Sequence, residues 1–213
     1  MTEENQYVVL SEEITFGKLW NKSTALKGHL GGFWGAYILT LIVGTICCAL
    51  LSLVPVLGGL LGGAIAYPFF LGPLIYALYA VQNKTLELGV AFKPCNKFSN
   101  FFVAYILLSV FTFLWSLLLI IPGIIAAIRY VLTPFIMFDN PEMSPSDAIK
   151  ESCKLMDGFK LKFFGYSLLW SLIIGFLGTI TLGIALIWLT PKSMAFMASF
   201  YESVKAAKTP TAA

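Results

Sequence analysis

The one arginine of the sequence, Arg129, is the residue best suited to chemistry, because it lies inside a long apolar stretch. A charge at the centre of a membrane-spanning helix costs at least about 2.5–3.5 kcal/mol unless it is paired or hydrated. A guanidinium offers five N–H donors to a phosphate or carboxylate. Tyr130 follows it, and the ring of Pro134 blocks a backbone hydrogen bond to residue 130. Arg129 and Tyr130 are therefore a candidate site for an anionic group, such as a lipid headgroup.

Arg129 also has a purely structural interpretation. It lies six residues beyond Gly123, which is about 9 Å along a helix, so its side chain could extend to headgroups at the predicted outer surface. The sequence leaves both interpretations open.

Other residue types do not form a recognisable catalytic or metal-binding pattern. The single histidine, His29, has no evident partner ligands, and the four cysteines form no C-x-x-C pair. The net charge of +3 is too small to indicate nucleic-acid binding. We therefore expect a non-enzymatic protein without metal or cofactor.

The elements that must position Arg129 are apolar helices. Hydrophobic residues make up 58% of the chain and charged residues 12%, whereas soluble domains have about 45–50% and about 25%. A span needs about 20 apolar residues. The sequence predicts an all-α polytopic membrane bundle of six spans in three hairpins, at residues 33–54, 57–81, 101–121, 124–138, 163–178 and 183–201. An alternative has four or five spans and one re-entrant hairpin.

Polar segments flank this bundle, which we assign to residues 33–205. Residues 1–32 are predicted to be a cytoplasmic segment with an amphipathic helix, and residues 206–213 a disordered tail. Lysines occur in the long segments 82–100 and 139–162 and near both ends of the chain, but not in the predicted tight turns. Because cationic residues stay on the cytoplasmic side, both termini are predicted to be cytoplasmic, in a multi-pass protein of the cytoplasmic membrane.

The hairpins also look like internal repeats. Residues 36–39 recur as residues 104–107, and the second helix of each hairpin contains proline. These prolines are the predicted helix-break positions, namely Pro68, Pro73, Pro134 and Pro191. They could converge on a substrate site, as in transporters, or be ordinary kinks that neighbouring helices accommodate.

A further helix is predicted over residues 144–158, in the polar segment before the fifth span. Ser144 and Asp147 have the spacing of a capping box, and Pro145 suits the first helical position. Gly158 is a natural stop. This helix is predicted to lie flat on the bundle or in the headgroup layer.

Residues 117–164, "LLLIIPGIIAAIRYVLTPFIMFDNPEMSPSDAIKESCKLMDGFKLKFF", resemble the bacterial membrane family called domain of unknown function 975. Residues 181–202 are similar to the last span of that family. More distantly, the chain resembles the membrane domain of some glycerophosphodiester phosphodiesterases. The resemblance implies a polytopic helical fold but no activity. Ala126 stands where family members often have lysine.

Two function hypotheses remain. The first is carrier-like handling of a lipid or small solute around Arg129. The second is an accessory or scaffold protein that assembles, stabilises or regulates other membrane components through the 144–158 helix. Membrane lipids are the expected partners in the first case and other membrane proteins in the second, whereas the oligomeric state stays open.

The orientation leads to a labelling prediction. Cys95 and Cys153 lie in the two long polar segments, so both should be inaccessible from outside the cell. We expect an impermeant maleimide to label them only after the membrane is opened. Ready labelling of either cysteine in intact cells would rule out this orientation.

Overall fold

The computed structural model describes residues 14–51, 57–118 and 120–208, and these are mostly helical with no strand among them. The helices are α1 Phe16–Lys22, α2 Leu30–Leu51, α3 Leu57–Phe70, α4 Gly72–Val81, α5 Phe98–Leu118, α6 Ile120–Tyr130, α7 Thr133–Asp139, α8 Pro145–Leu155, α9 Lys160–Ile180 and α10 Leu186–Lys208. Two 3-10 helices, Ser23–His29 and Leu88–Lys97, lead into α2 and α5. The predicted all-α bundle is confirmed.

Among the described residues, four stretches are long and apolar enough to cross a membrane, namely Leu61–Val81, Leu88–Leu117, Ile121–Asp139 and Lys160–Ile180. A shorter apolar helix, Leu30–Ile46, represents the first predicted span. The sixth predicted span falls in α10, which is less apolar because it contains Lys192, Glu202 and Lys205. The count of six spans and their orientation stay predictions.

The core is formed by the second helices of the predicted hairpins. α4 and α7 are buried along most of their length, and α10 is buried at many positions over residues 189–204, most continuously at 198–201. The ring of Phe135 in α7 stacks on that of Tyr201 in α10, with centroids 5.0 Å apart. These helices are thus the inner layer of the bundle.

The outer layer contains α5 and α9. In the most apolar part of each of the stretches Leu88–Leu117 and Lys160–Ile180, 11% of the residues are buried. Large apolar side chains such as Phe113, Leu172 and Phe176 are more than 60% exposed. Exposure of apolar surface to water costs about 25 cal/mol per Å², whereas lipid tails solvate it without that cost. The exposed flanks therefore suit a bilayer.

The four predicted break positions fall into two kinds. Pro73 and Pro134 lie at the starts of α4 and α7, after turns at residue 71 and residues 131–132, where the missing N–H costs little. Pro68 and Pro191 lie inside α3 and α10. α10 continues through Pro191 without the predicted interruption. A proline removes a backbone hydrogen bond from a helix, and the packing of this buried residue in the core offsets that loss.

The predicted helix before α9 is present as α8. The Ser144 hydroxyl accepts from the backbone N–H of Asp147 at 3.2 Å and donates to the Asp147 carboxylate at 2.7 Å. The short Asp147 carboxylate thus accepts from the Ser144 side chain. In a capping box, a longer glutamate reaches the backbone N–H of the cap residue instead. Gly158, just beyond the helix, has a φ of +84°, which suits glycine.

The end of α10 corrects one boundary. Residues 206–208, predicted to be part of a disordered tail, are helical. The ammonium of Lys208 donates to the backbone carbonyl of Lys154 and lies 6.0 Å from the ring centroid of Phe159, so the last turn is held against α8 and its C-terminal loop. Residues 1–13 of the predicted N-terminal segment, the predicted turn between the first two spans at 55–56, and residues 209–213 lie outside the described residues.

The α5–α6 hairpin depends on a close approach at Gly123. A Cβ atom there would lie 2.5 Å from the Oγ of Ser116 and 3.0 Å from its Cα. We expect Gly123→Ala to destabilise the protein by about 1–3 kcal/mol, because the two helices must separate. Thermal unfolding in mild detergent measures this. The control is Gly175→Ala in α9, where a Cβ would meet nothing within 4 Å. Equal melting temperatures for the two variants would contradict the close packing.

Candidate functional site

A polar network joins the inner helices at one end. The Tyr201 hydroxyl donates to Oδ2 of Asp139 at 2.8 Å, and the ammonium of Lys205 donates to the same oxygen. The amide of Gln82, just after α4, donates to the carboxylate of Glu202. We call these residues the helix-end network. It connects the C-terminal ends of α4 and α7 to α10.

Pairing is essential for Asp139, whose side chain is 11% exposed. A carboxylate removed from water is costly unless it is paired and hydrogen-bonded. Here a phenol and an ammonium both donate to it, while the Phe135 ring packs on Tyr201. Tyr201 and Lys205 thus compensate the negative charge of Asp139 within the helix-end network.

Beside this network lies a cavity of about 380 Å³, which we call the lysine pocket. Its lining includes Tyr79, Lys84, Lys93, Lys97, Phe138 and Asp139. The cavity combines ammonium groups with apolar and aromatic surface, at the predicted cytoplasmic end of the bundle.

The lysines of the pocket differ in their partners. Nζ of Lys93 donates to the Tyr79 hydroxyl at 2.8 Å, and Nζ of Lys84 lies 5.1 Å from the Tyr79 ring centroid. Lys97 pairs with Glu142 at 2.8 Å, and this hydrogen bond and charge lower the pKa of the Glu142 carboxyl. Within the described residues, Lys84 and Lys93 form no ion pair with a carboxylate. The pocket therefore has an excess of positive charge.

Local structure places these lysines. After α4 the chain reverses through Asn83, with a φ of +53°, and the N–H of Lys84 donates to the carbonyl of Tyr79 at 3.0 Å. The following 3-10 helix packs Val90 and Ala91 into the core. Its close contact with α4 requires Gly72, where a Cβ would lie 2.5 Å from the Ala91 carbonyl oxygen.

Arg129 lies in a different part of the molecule, at the end of α6 beside α8. Its backbone carbonyl accepts from the Ser152 hydroxyl at 2.7 Å, and its Nε is buried without a hydrogen-bond partner. Its charge reaches Asp157 and contributes to the lowered pKa of that carboxyl, after the larger effects of Lys160 and Lys208. The Arg129 backbone is thus held against α8, and both interpretations of its side chain, as an anion site and as an extension to headgroups, stay predictions.

The other predicted site residues make contacts in which Arg129 does not take part. The ring of Tyr130 lies 6.4 Å from that of Phe111 in α5. Asp139 belongs to the helix-end network, and Ser144 and Asp147 act as the cap of α8. Within the described residues, no group of three or more His, Cys, Asp or Glu side chains could hold a metal ion.

The sequence analysis missed the lysine pocket. It used Lys84, Lys93 and Lys97 to orient the chain, and their clustering in one segment was the available signal. Tyr79 and Phe138 come from two other segments, but their rings meet at 5.8 Å between α4 and α7. Such a meeting cannot be read from spacing along the chain.

Removing the Ser152 hydroxyl should uncouple α8 from α6. Ser152 is fully buried, so Ser152→Ala leaves the Arg129 carbonyl without this donor at a cost of about 1–3 kcal/mol. We expect faster amide exchange across α8. Ser171→Ala is the control, because its exposed hydroxyl bonds only the Ser167 carbonyl of its own helix. Unchanged exchange in the Ser152 variant would show that this bond does not hold α8.

The fold and charges together define a class: an all-α bundle that has, in the part of the chain that the structure describes, four apolar helices of membrane-spanning length and a charged network at one end. Residues 117–208 match the family model described as protein of unknown function (DUF975). This match confirms the resemblance to that family found in the sequence. No curated protein and no solved structure gives a significant match. The likeness to glycerophosphodiester phosphodiesterase membrane domains stays a prediction.

Proposed function

We propose that the protein is a non-enzymatic, carrier-like membrane protein that handles an anionic lipid or small solute, and that the lysine pocket binds the charged group. The observation that carries this proposal is the placement of Lys84 and Lys93 around Tyr79 without carboxylate partners among the described residues. A phosphate or carboxylate would form charge-assisted hydrogen bonds with both ammonium groups.

The pocket suits an amphipathic ligand. Phe101, Met137 and Phe138 supply apolar lining next to the lysines, and apolar helices extend from this end of the bundle. Basic pockets between membrane helices on the cytoplasmic side bind anionic headgroups. We therefore favour a lipid phosphate, with a soluble phosphate compound as the other source of the same chemistry.

The broken helices support a carrier-like role. α3 and α4 are separated at residue 71, and α6 and α7 at residues 131–132. Discontinuous helices often form the sites of transporters, because their free backbone groups and helix ends contact the substrate. α4 and α7 also supply Tyr79 and Phe138 to the lysine pocket.

Lipid retention tests the proposal. Removing two charge-assisted hydrogen bonds, each worth about 1.5–3 kcal/mol, should weaken binding by tenfold or more in Lys84→Gln/Lys93→Gln. Native mass spectrometry in mild detergent, with added phosphatidylglycerol or glycerol 3-phosphate, measures retention and separates lipid from soluble ligand. Lys150→Gln is the control, since its side chain is 71% exposed and paired with Asp147. Equal retention by all three proteins, with either ligand, would reject the lysine pocket as the site.

One observation favours the second candidate, an accessory or scaffold protein. α9 exposes Leu168, Leu172 and Phe176 along its length, and such a flank could contact another membrane protein instead of lipid. The same mass spectra separate the candidates, because a partner chain adds a defined polypeptide mass. A protein that retains a partner chain but no anionic ligand would favour the accessory role.

A further inference from the structure

We propose that an anionic phospholipid binds in a groove between α10 and the first 3-10 helix, with its phosphate on Lys192. This groove is separate from the lysine pocket. Its cavity measures about 470 Å³, within the range of about 300–1,000 Å³ that is typical of ligand pockets. The cavity is lined by Ser23, Leu26, Leu30, Trp188, Pro191 and Lys192.

Lys192 is a charged residue in an otherwise uncharged part of α10. No other charged residue occurs between Leu186 and Ser199. Among the residues that the structure describes, no carboxylate forms an ion pair with Lys192. An ionisable residue in an apolar segment is costly unless it has a partner, and it therefore marks a candidate binding site. The partner that complements its charge is an anion.

Aromatic contacts hold the Lys192 ammonium beside the cavity. Its Nζ lies 4.7 Å from the ring centroid of Trp20, in a cation–π contact. The Trp20 ring is itself positioned by an edge-on contact with Trp170 at 5.1 Å and by Phe16 at 6.1 Å. An ammonium has three N–H donors, and the ring takes up one side of it. Donors remain for the oxygen atoms of a phosphate.

The rest of the groove suits acyl chains. Leu26 and Leu30 supply apolar walls, and Trp188 of α10 lines the cavity while 60% exposed. Leu186 and Ile187, which are 40% and 53% exposed, continue the apolar surface towards the start of α10. A ligand that contacts both this surface and Lys192 must combine a charged group with apolar chains. This requirement favours a phospholipid over a soluble anion.

The charges of α1 favour an anionic lipid. This helix leads into the first 3-10 helix and contains the exposed residues Lys18 and Lys22 but no acidic residue. Trp20 lies between these lysines, and tryptophan is enriched at the headgroup level of membranes. Lysines at a membrane surface attract anionic lipids. A zwitterionic headgroup, in contrast, would bring its own cation towards Lys192.

The test uses the full chain with the lysine pocket disabled by Lys84→Gln/Lys93→Gln, so that lipid bound in that pocket does not contribute. Native mass spectrometry in dodecyl maltoside measures the retention of phosphatidylglycerol, phosphatidylcholine and glycerol 3-phosphate. We expect this background to keep one phosphatidylglycerol in preference to the other two ligands. Lys192→Gln should weaken its binding by about tenfold, the loss of one charge-assisted hydrogen bond, whereas Lys192→Arg should retain it.

Two further variants are made in the same background. Lys18→Gln is the control, because Lys18 is an exposed lysine on the same helix as Trp20 but does not line the cavity. Trp188→Ala should lower the retention of phosphatidylglycerol a few-fold, because it removes a wall of the groove. The exposure of Trp188 means that this change spares the core. Gel filtration and thermal unfolding identify a variant that fails to fold, and Trp188→Ala then decides in place of Lys192→Gln.

Four outcomes overturn the proposal while leaving the lysine pocket untouched. The first is equal binding of phosphatidylglycerol by the background, Lys192→Gln and Trp188→Ala proteins. The second is an equal loss in Lys18→Gln and Lys192→Gln, which would indicate a general attraction to the basic surface. The third is equal retention of phosphatidylglycerol and phosphatidylcholine. The fourth is retention of glycerol 3-phosphate in place of lipid, which would identify a soluble ligand.

Discussion

The hydrogen bonds that converge on Asp139 are the constraint on which the bundle depends. In a bilayer, lipid tails are as apolar as leucine, so the hydrophobic effect does not hold membrane helices together, and packing and polar contacts must do so. Tyr201 and Lys205 both donate to Asp139, and thereby hold α7 against α10. The same contacts neutralise Asp139, so that the lysine pocket beside it keeps its positive charge.

The inner and outer layers follow from this constraint and were only partly predictable. The apolar runs and their prolines identified the helices and the paired arrangement of α5 with α6. Which helix of a pair lies inside was not evident, because the outer helices must be apolar towards lipid and the inner ones apolar towards each other. The deciding residues are small or polar ones such as Gly72 and Tyr201, whose role appears only when the helices are packed.

The candidate sites were also only partly predictable from the sequence. Arg129 was identifiable because a lone charge in an apolar run needs an explanation. The environment of Arg129 could not be predicted, because α8 comes from a polar segment that folds back against the end of α6. The lysine pocket was missed because its lysines, Tyr79 and Phe138 belong to different segments. A pattern along the chain predicts elements well, but it does not predict contacts between segments that only the packed bundle brings together.

α8 lies where it can bond a backbone group that the helix break between α6 and α7 leaves free. The interruption at residues 131–132 frees backbone carbonyls at the end of α6, and unpaired polar groups are costly there. Ser152 satisfies the Arg129 carbonyl, and the cap at Ser144 fixes the opposite end of α8. Pro141 of the lysine pocket lies shortly before α8, so the pocket adjoins the start of this helix. α8 is thus held at both ends, and the polar segment that forms it satisfies a backbone group that the break between α6 and α7 leaves free.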